Sequence, residues 1–136
     1  MDVGLSVGDQ RYEVGTSDFL NAFFSTVVVR LEGGQWGSEY PLLMNKLYMG
    51  EVDAADALKL QAELTEVRKR LEQFTPDLVV WDFENPSKRP PWGSNISSHI
   101  RSLAQYFWTS DGKDLFDVLI NAAERSAASR EAIVVG

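Results

Sequence analysis

The sequence contains no cysteine and a single histidine, His99. The absence of cysteine excludes disulfide bonds, thiol nucleophiles and zinc sites built on thiolates. Because His99 is the only imidazole in the sequence, a Ser-His-Asp triad would have one candidate base, and a metal site would have to consist mainly of carboxylates. The residue types therefore favour a protein without a metal site and without a bound cofactor.

Long apolar runs are also missing. The most apolar window, residues 19–31, is interrupted by Asn21, Ser25, Thr26 and Arg30, whereas a helix needs about 20 consecutive apolar residues to span a bilayer. The first residues of the chain lack the basic region of a secretory signal peptide. We therefore expect a cytoplasmic protein that does not act on a membrane.

Basic residues are scarce relative to acidic ones. The sequence has 13 lysines and arginines against 20 aspartates and glutamates, which gives a net charge of −7. This balance argues against nucleic acid or an anionic membrane as the main partner, because both repel an acidic surface. It is compatible with a basic protein partner, although solubility alone is a sufficient reason for acidic charge.

The remaining composition is that of a folded protein. The chain has 136 residues, of which 44% are hydrophobic and 24% are charged. These values are ordinary for globular proteins, and a chain of this length can bury about 70% of its unfolded surface. We therefore predict one domain that extends over residues 1–136.

Strands are predicted where apolar residues alternate or form short runs. Residues 3–7 alternate between apolar and small or polar side chains, and Gly8-Asp9 is a turn signal before a second short strand at 12–14. Residues 78–81 are apolar without alternation, which is typical of an interior strand covered on both faces. Residues 132–135 form a last apolar strand.

Five segments carry the apolar spacing of helices. They begin at or near Ser17, Pro41, Asp53, Ser97 or Ser98, and Asp114. The first extends to about Leu31, with a strand over residues 26–31 as the alternative because valine is β-branched. The stripe on the third, from Ala57 to Phe74, indicates core packing against the sheet, with a coiled-coil dimer seam as the alternative. The predicted fold is α+β, with a small mixed or antiparallel sheet layered with about five helices.

Asp82 and Glu84 are the most conspicuous acidic residues after a predicted strand. They flank Phe83 at its carboxyl end, which is a known position for acid–base catalysis or metal binding. More simply, they mark where the strand meets water, or they pair with Lys88-Arg89. We favour a role as contacts for a basic partner over a catalytic role.

Aromatic residues surround a proline-rich loop in the second half of the chain. Trp81 is predicted to lie in the core, because tryptophan is large and apolar. Trp92, between Pro91 and Gly93, is predicted to lock the loop, with partner contact as the alternative, since tryptophan is enriched in binding hot spots. His99 lies near the start of a predicted helix, where a cap or surface role is commoner than that of a general base.

The order of short motifs along the chain resembles the Immunity protein 70 family. The motifs that carry this resemblance are Phe23-Phe24-Ser25-Thr26, Trp36-Gly37, Trp81-Asp82, Pro90-Pro91-Trp92-Gly93, Asn95-Ile96-Ser97, Tyr106-Phe107, Thr109-Ser110-Asp111-Gly112 and Asp114-Leu115-Phe116. Together they extend over nearly the whole chain. The resemblance implies a cytoplasmic antidote of a bacterial polymorphic-toxin system, which binds and neutralises a cognate toxin domain and has no catalytic residues.

The residues and the resemblance together lead to one prediction and two alternatives. The prediction is an acidic, non-catalytic inhibitor that contacts its toxin through Asp82, Glu84 and Trp92. Since many toxins that attack nucleic acid are basic, the toxin is predicted to be a nuclease. The first alternative is a small enzyme that uses Glu13, Asp82 or Glu84 together with His99. The second is a structural homodimer formed through the stripe of the long helix, so the sequence leaves monomer and homodimer open.

Overall fold

A four-stranded antiparallel sheet is formed by the described residues of the computed structural model, which are 2–85, 87–91 and 96–136. Its strands are β1 (Asp2–Val7), β2 (Gln10–Thr16), β3 (Glu51–Val52) and β4 (Ile133–Val135), in the order β2-β1-β4-β3. The alternating pattern of residues 3–7, the hairpin and the terminal strand are thus confirmed. β3 has only two residues, too few to show a period in the sequence.

The longer helices are α1 (Ser17–Arg30), a π-helix (Leu42–Leu47), α2 (Ala57–Leu71) and α3 (Leu115–Ser129). Short 3₁₀ segments cover Ala54–Asp56, Pro76–Leu78 and Leu103–Gln105. Four of the five predicted helices are therefore found in the part of the chain that is described, and the α+β class is confirmed. Thr16, and not Ser17, caps α1, because its side chain accepts the N–H of Phe19 at 3.1 Å.

α1 is the central element of the core. Its residues 22–28 are all buried, including the polar Ser25 and Thr26. The ring of Phe23 meets the rings of Phe107 and Phe116 edge-on, each with its centroid 5.4 Å away. The strand predicted as an alternative for residues 26–31 is wrong, because the helix continues to Arg30 and buries its valines at 27 and 28 in the core despite their β-branched side chains.

α2 buries the narrow apolar stripe that the sequence predicts. Ala57, Leu60, Leu64, Val67 and Leu71 are at most 1% exposed. The helix packs mainly on α3, which in turn contacts β1, β2 and β4. Core packing is therefore confirmed, although α3 and not the sheet is the main neighbour. The homodimer predicted through this stripe is wrong, since the stripe is already covered within one chain.

Residues 78–81 do not form the predicted interior strand. They follow the 3₁₀ segment Pro76–Leu78 and continue as extended chain outside the sheet. Side chains of α1 supply the hydrogen bonds that fix this segment to the helix. Arg30 Nε donates to the carbonyl of Leu78 at 2.8 Å, and the Thr26 hydroxyl accepts the N–H of Val80 at 3.0 Å and donates to its carbonyl at 3.2 Å. The segment is apolar because it lies on a helix, and that environment gives the same sequence signal as a central strand.

The helix predicted after Ser97 or Ser98 is also wrong. Only the 3₁₀ segment Leu103–Gln105 forms there. The N–H of Leu103 donates to the carbonyl of Phe74 at 2.9 Å, and the carbonyl of Phe107 accepts from Leu115 at 3.0 Å. Backbone groups that a helix would pair internally are thus paired with other parts of the chain, while the apolar side chains still reach the core.

Candidate partner-binding surface

A hollow of about 680 Å³ lies where the chain after α1, the π-helix and the segment after Trp81 meet. We call it the aromatic hollow. It is lined by three aromatic residues, two methionines, two asparagines and two carboxylates, namely Trp36, Tyr48, Phe83, Met44, Met49, Asn21, Asn45, Asp82 and Glu84. A shallower hollow of about 330 Å³ shares Asn21 and Tyr48 with it and extends the apolar surface towards Phe24.

The aromatic rings of the hollow form one connected cluster. The centroid of Trp36 lies 4.7 Å from that of Tyr48 and 5.8 Å from that of Phe83, with interplanar angles of 67° and 62°. Phe24, which is buried in α1, contacts Tyr48 edge-on at 5.2 Å. The cluster is therefore anchored in the core on one side, while Tyr48 is 47% and Phe83 is 36% exposed on the other.

Asp82, Phe83 and Glu84 are positioned by α1 and by a local turn. The N–H of Phe83 donates to the buried hydroxyl of Ser25 at 2.8 Å. The carboxylate of Asp82 accepts the N–H of Glu84 at 3.0 Å, a pattern in which an aspartate side chain stabilises the turn that follows it. The two carboxylates thus lie beside Phe83 at the edge of the hollow because this segment is fixed to a helix.

Trp36 is positioned by a buried glutamate. Glu32 is 4% exposed, and its carboxylate accepts the N–H groups of Gly37, Glu39 and Tyr40 at 2.9 to 3.0 Å. Gly37 has φ of 76°, a backbone conformation that favours glycine. The loop that carries Trp36 is therefore rigidly connected to the end of α1.

The same loop is tied to α2 by Arg70. Its guanidinium donates to the Tyr40 hydroxyl at 2.7 Å, to the Glu39 carboxylate at 2.9 Å and to the carbonyl of Leu31 at 3.2 Å. Burial raises the pKa of Tyr40, and the hydrogen bond from Arg70 opposes this shift. The loop before the π-helix is thus held from two sides, by Glu32 and by Arg70.

The π-helix begins against a carboxylate from α2. Glu63 accepts the N–H groups of Leu43 and Leu42 at 2.8 and 3.3 Å, so it satisfies donors that have no partner inside the helix. π-Helical turns are rare and frequently lie at functional sites. Here the wider turn leads into Tyr48 and Met49, of which Met49 is 81% exposed. Burial raises the pKa of Glu63.

The raised pKa of Glu63 predicts that the stability of the folded chain depends on pH, and the variant Glu63→Gln should lack this contribution. Because the folded-state pKa lies above the ordinary value, the folded state binds more protons between the two values, and its stability rises as pH falls through that window. We therefore expect the free energy of unfolding of the natural chain, relative to that of Glu63→Gln, to increase as urea denaturation is repeated from pH 7 down to about pH 4.5. If the free energy of unfolding of the natural chain, relative to that of Glu63→Gln, decreased as the pH is lowered, the raised pKa of Glu63 would be contradicted.

The acidic rim of the hollow consists of Asp82 and Glu84, which, like most acidic residues of the described chain, are not paired with a basic side chain. Neither Asp82 nor Glu84 makes an ion pair within the described residues. By contrast, Glu13 and Glu39 pair with arginines at 2.8 and 2.9 Å. The two rim carboxylates are therefore available to a cation from another molecule.

A second hollow, of about 780 Å³, lies near the start of α3 and includes Trp108 and His99. Its main cation, Arg68, is already paired with Asp114 at 3.3 Å and with Asp117 at 3.0 Å. Burial raises the pKa of Asp114, and Arg68 opposes the shift. The charges of this hollow are thus largely satisfied within the chain, which makes it the weaker candidate for a charged partner.

The residues predicted from the sequence are distributed as follows. Asp82 and Glu84 line the same hollow, and Trp81 is buried at 5% exposure as predicted. Trp92 lies outside the described residues. His99 lines the second hollow and Glu13 pairs with Arg11, so the acids and the histidine of the enzyme alternative do not converge in either hollow.

The sequence did not single out Tyr48, Met49 or Trp36 as contact residues. The signal that the sequence offered is the position of these residues next to glycine, in Gly34-Gln35-Trp36-Gly37 and in Tyr48-Met49-Gly50, which indicates loops or helix ends. No described helix has both the length and the apolar character needed to cross a membrane.

Comparison with known proteins gives one match. A family model described as Immunity protein 70 matches residues 5–135, which is nearly the whole chain. No curated protein and no solved structure matches significantly.

Proposed function

We propose that this chain, which belongs to the Immunity protein 70 family, binds a cognate toxin domain and neutralises it, with the aromatic hollow as the main contact surface. Family membership implies an immunity protein, and the proposal adds the partner and the surface. In this proposal the chain acts as a non-catalytic inhibitor in the bacterial cytoplasm. Its acidic charge suits a basic toxin, for which a nuclease is the chemical class that we propose.

The observation that carries the proposal is the combination of exposed apolar rings with free carboxylates at one place. Tyr48, Met49 and Phe83 are among the few large apolar residues that are exposed in the described chain. Aromatic residues and methionine are enriched in protein interfaces, and a few of them usually supply most of the binding energy. The fixed loops behind them mean that little order has to be gained on binding, which favours affinity.

The direct test uses the toxin domain encoded by the neighbouring gene. We expect the purified chain to form a complex with that domain in isothermal titration calorimetry and to suppress its toxicity when both are produced in one cell. If the two proteins neither associate nor show protection, the proposed function is wrong. If they associate, the surface can be mapped with single variants.

Charge reversal of the rim gives a prediction about rate. In the double variant Asp82→Lys, Glu84→Lys we expect association with a basic toxin to slow by about tenfold at low salt, and by less at high salt, because rim charges act mainly through long-range attraction. Neither carboxylate has an ion pair to lose, and Asp82→Lys removes only the acceptor of the Glu84 N–H in an exposed turn, so we expect a small loss of thermal stability. Stopped-flow mixing measures the rate, and Asp117→Lys is a control near the second hollow.

An unchanged rate for the rim variant at low salt would exclude Asp82 and Glu84 from the encounter surface. A slower rate for Asp117→Lys alone would assign the surface to the second hollow instead.

A further inference from the structure

We infer that the aromatic hollow receives an arginine side chain of the partner protein, against the connected rings of Trp36, Tyr48 and Phe83 and beside the carboxylates of Asp82 and Glu84. This inference rests on the proposed function, because it names the group through which the toxin would be recognised. It follows from three properties of the hollow, which are its rings, its charge and its amide groups.

The rings offer the first property. Tyr48 and Phe83 contact Trp36 edge to face, with centroids 4.7 and 5.8 Å away, so the three rings form one connected aromatic wall on which Tyr48 and Phe83 are exposed. A cation is attracted to the electron-rich face of an aromatic ring when it lies within about 6 Å of the centroid. The planar guanidinium of arginine also stacks on such rings and is less strongly hydrated than the ammonium of lysine. A wall of exposed aromatic rings therefore suits arginine better than lysine.

The charge of the lining offers the second property. Asp82 and Glu84 are the two charged residues that line the hollow, and none of its lining residues is basic. An acidic group entering the hollow would be repelled. A purely apolar group would cover the two carboxylates without giving them a partner, which costs free energy. A guanidinium offsets the charge of the carboxylates, and it can pair with a carboxylate through two parallel hydrogen bonds.

The amides offer the third property. Asn21 and Asn45 also line the hollow, and their carbonyl oxygens can accept N–H groups. Arginine has five N–H donors, more than one carboxylate can satisfy. The hollow thus combines apolar walls for the aliphatic part of the arginine side chain with several hydrogen-bond acceptors for its guanidinium group.

The experiment uses a small probe in place of the toxin. N-acetyl-arginine N-methylamide is titrated into the intact chain, and the indole N–H signals of the four tryptophans are followed by NMR. We expect the Trp36 signal to shift with a dissociation constant on the order of 1 to 10 mM, since one side chain supplies a small part of an interface. Trp36 is a suitable reporter because its indole N–H donates to the carbonyl of Met44 beside the hollow.

Two controls make the result specific. The neutral analogue N-acetyl-citrulline N-methylamide has nearly the same shape, and we expect it to bind at least fivefold more weakly. The variant Asp82→Asn, Glu84→Gln keeps the shape of the rim and should weaken arginine binding by a similar factor, while circular dichroism confirms its fold. Equal binding of citrulline, or a shift at Trp108 without one at Trp36, would overturn the inference. Tighter binding of the lysine analogue would also overturn it.

The arginine-probe experiment and the toxin-binding test can fail independently of each other. If the chain neutralises its toxin but the arginine probe leaves Trp36 unaffected, this inference fails while the immunity function stands. If the chain fails to bind the toxin at all, the calorimetric test above has already shown the proposed function to be wrong.

Discussion

Replacement of Tyr48 by alanine is expected to weaken the complex with the cognate toxin about thirtyfold or more. Tyr48 is 47% exposed, and its ring contacts the rings of both Phe24 and Trp36. These contacts hold the exposed ring in one position. Hot-spot residues of this type typically contribute 2 kcal/mol or more on truncation, which corresponds to a change in affinity of about thirtyfold. Titration calorimetry measures the affinity directly.

The matched control is Trp108→Ala. Trp108 is 48% exposed, almost the same fraction as Tyr48, but it belongs to the second hollow. We expect this variant to bind the toxin within about twofold of the natural chain, and both variants to unfold within a few degrees of it. A loss of affinity in Trp108→Ala with none in Tyr48→Ala would transfer the contact surface to the second hollow and contradict our assignment.

Replacement of Glu32 by alanine is expected to destabilise the chain by about 3 kcal/mol. Its carboxylate is the acceptor for three backbone N–H groups, and hydrogen bonds to a charged acceptor contribute about 1.5 to 3 kcal/mol each. Water can replace the bonds to the two partly buried donors, Gly37 and Glu39, so most of the expected loss comes from the buried N–H of Tyr40. Urea denaturation followed by tryptophan fluorescence measures the change.

The control for this prediction is Glu39→Ala. Glu39 lies in the same loop and carries the same charge, but its side chain is 46% exposed and its one ion pair is with Arg70. Exposed pairs of this kind contribute at most about 1 kcal/mol. We also expect Glu32→Ala to weaken toxin binding, since Trp36 loses its support. If both variants have the same stability, Glu32 does not organise the loop.

The secondary structure of this protein could be predicted wherever one element presents a regular face to the core. The alternation of residues 3–7 and the three-to-four spacing along α2 are direct consequences of burial on one side, so they are visible in the sequence. Asp114 was recognised as the start of α3 because an N-cap acts locally, and its side chain does accept the N–H of Phe116 at 2.9 Å.

Residues 78–83 show why part of the candidate site could not be predicted. The sequence indicates a buried extended segment, whereas the structure buries only Val80 and Trp81 of these residues and leaves the segment outside the sheet. Its partners are Arg30, Thr26 and Ser25, which lie 48 to 58 positions earlier in the chain. No local pattern distinguishes hydrogen bonds to side chains of a helix from hydrogen bonds to a neighbouring strand. The interior strand was therefore a natural but wrong prediction.

By itself, the sequence determined the acidic charge, the absence of thiol chemistry, the α+β class and the family, because these depend on composition and on the order of short motifs. It also identified Asp82 and Glu84 as candidate contacts. Only the tertiary structure decided that they lie beside Trp36 and Tyr48, two residues that are 46 and 34 positions from Asp82 along the chain. The reason is physical: the aromatic hollow forms where segments distant in the sequence are fixed to one helix, and here α1 and the buried Glu32 after it fix them.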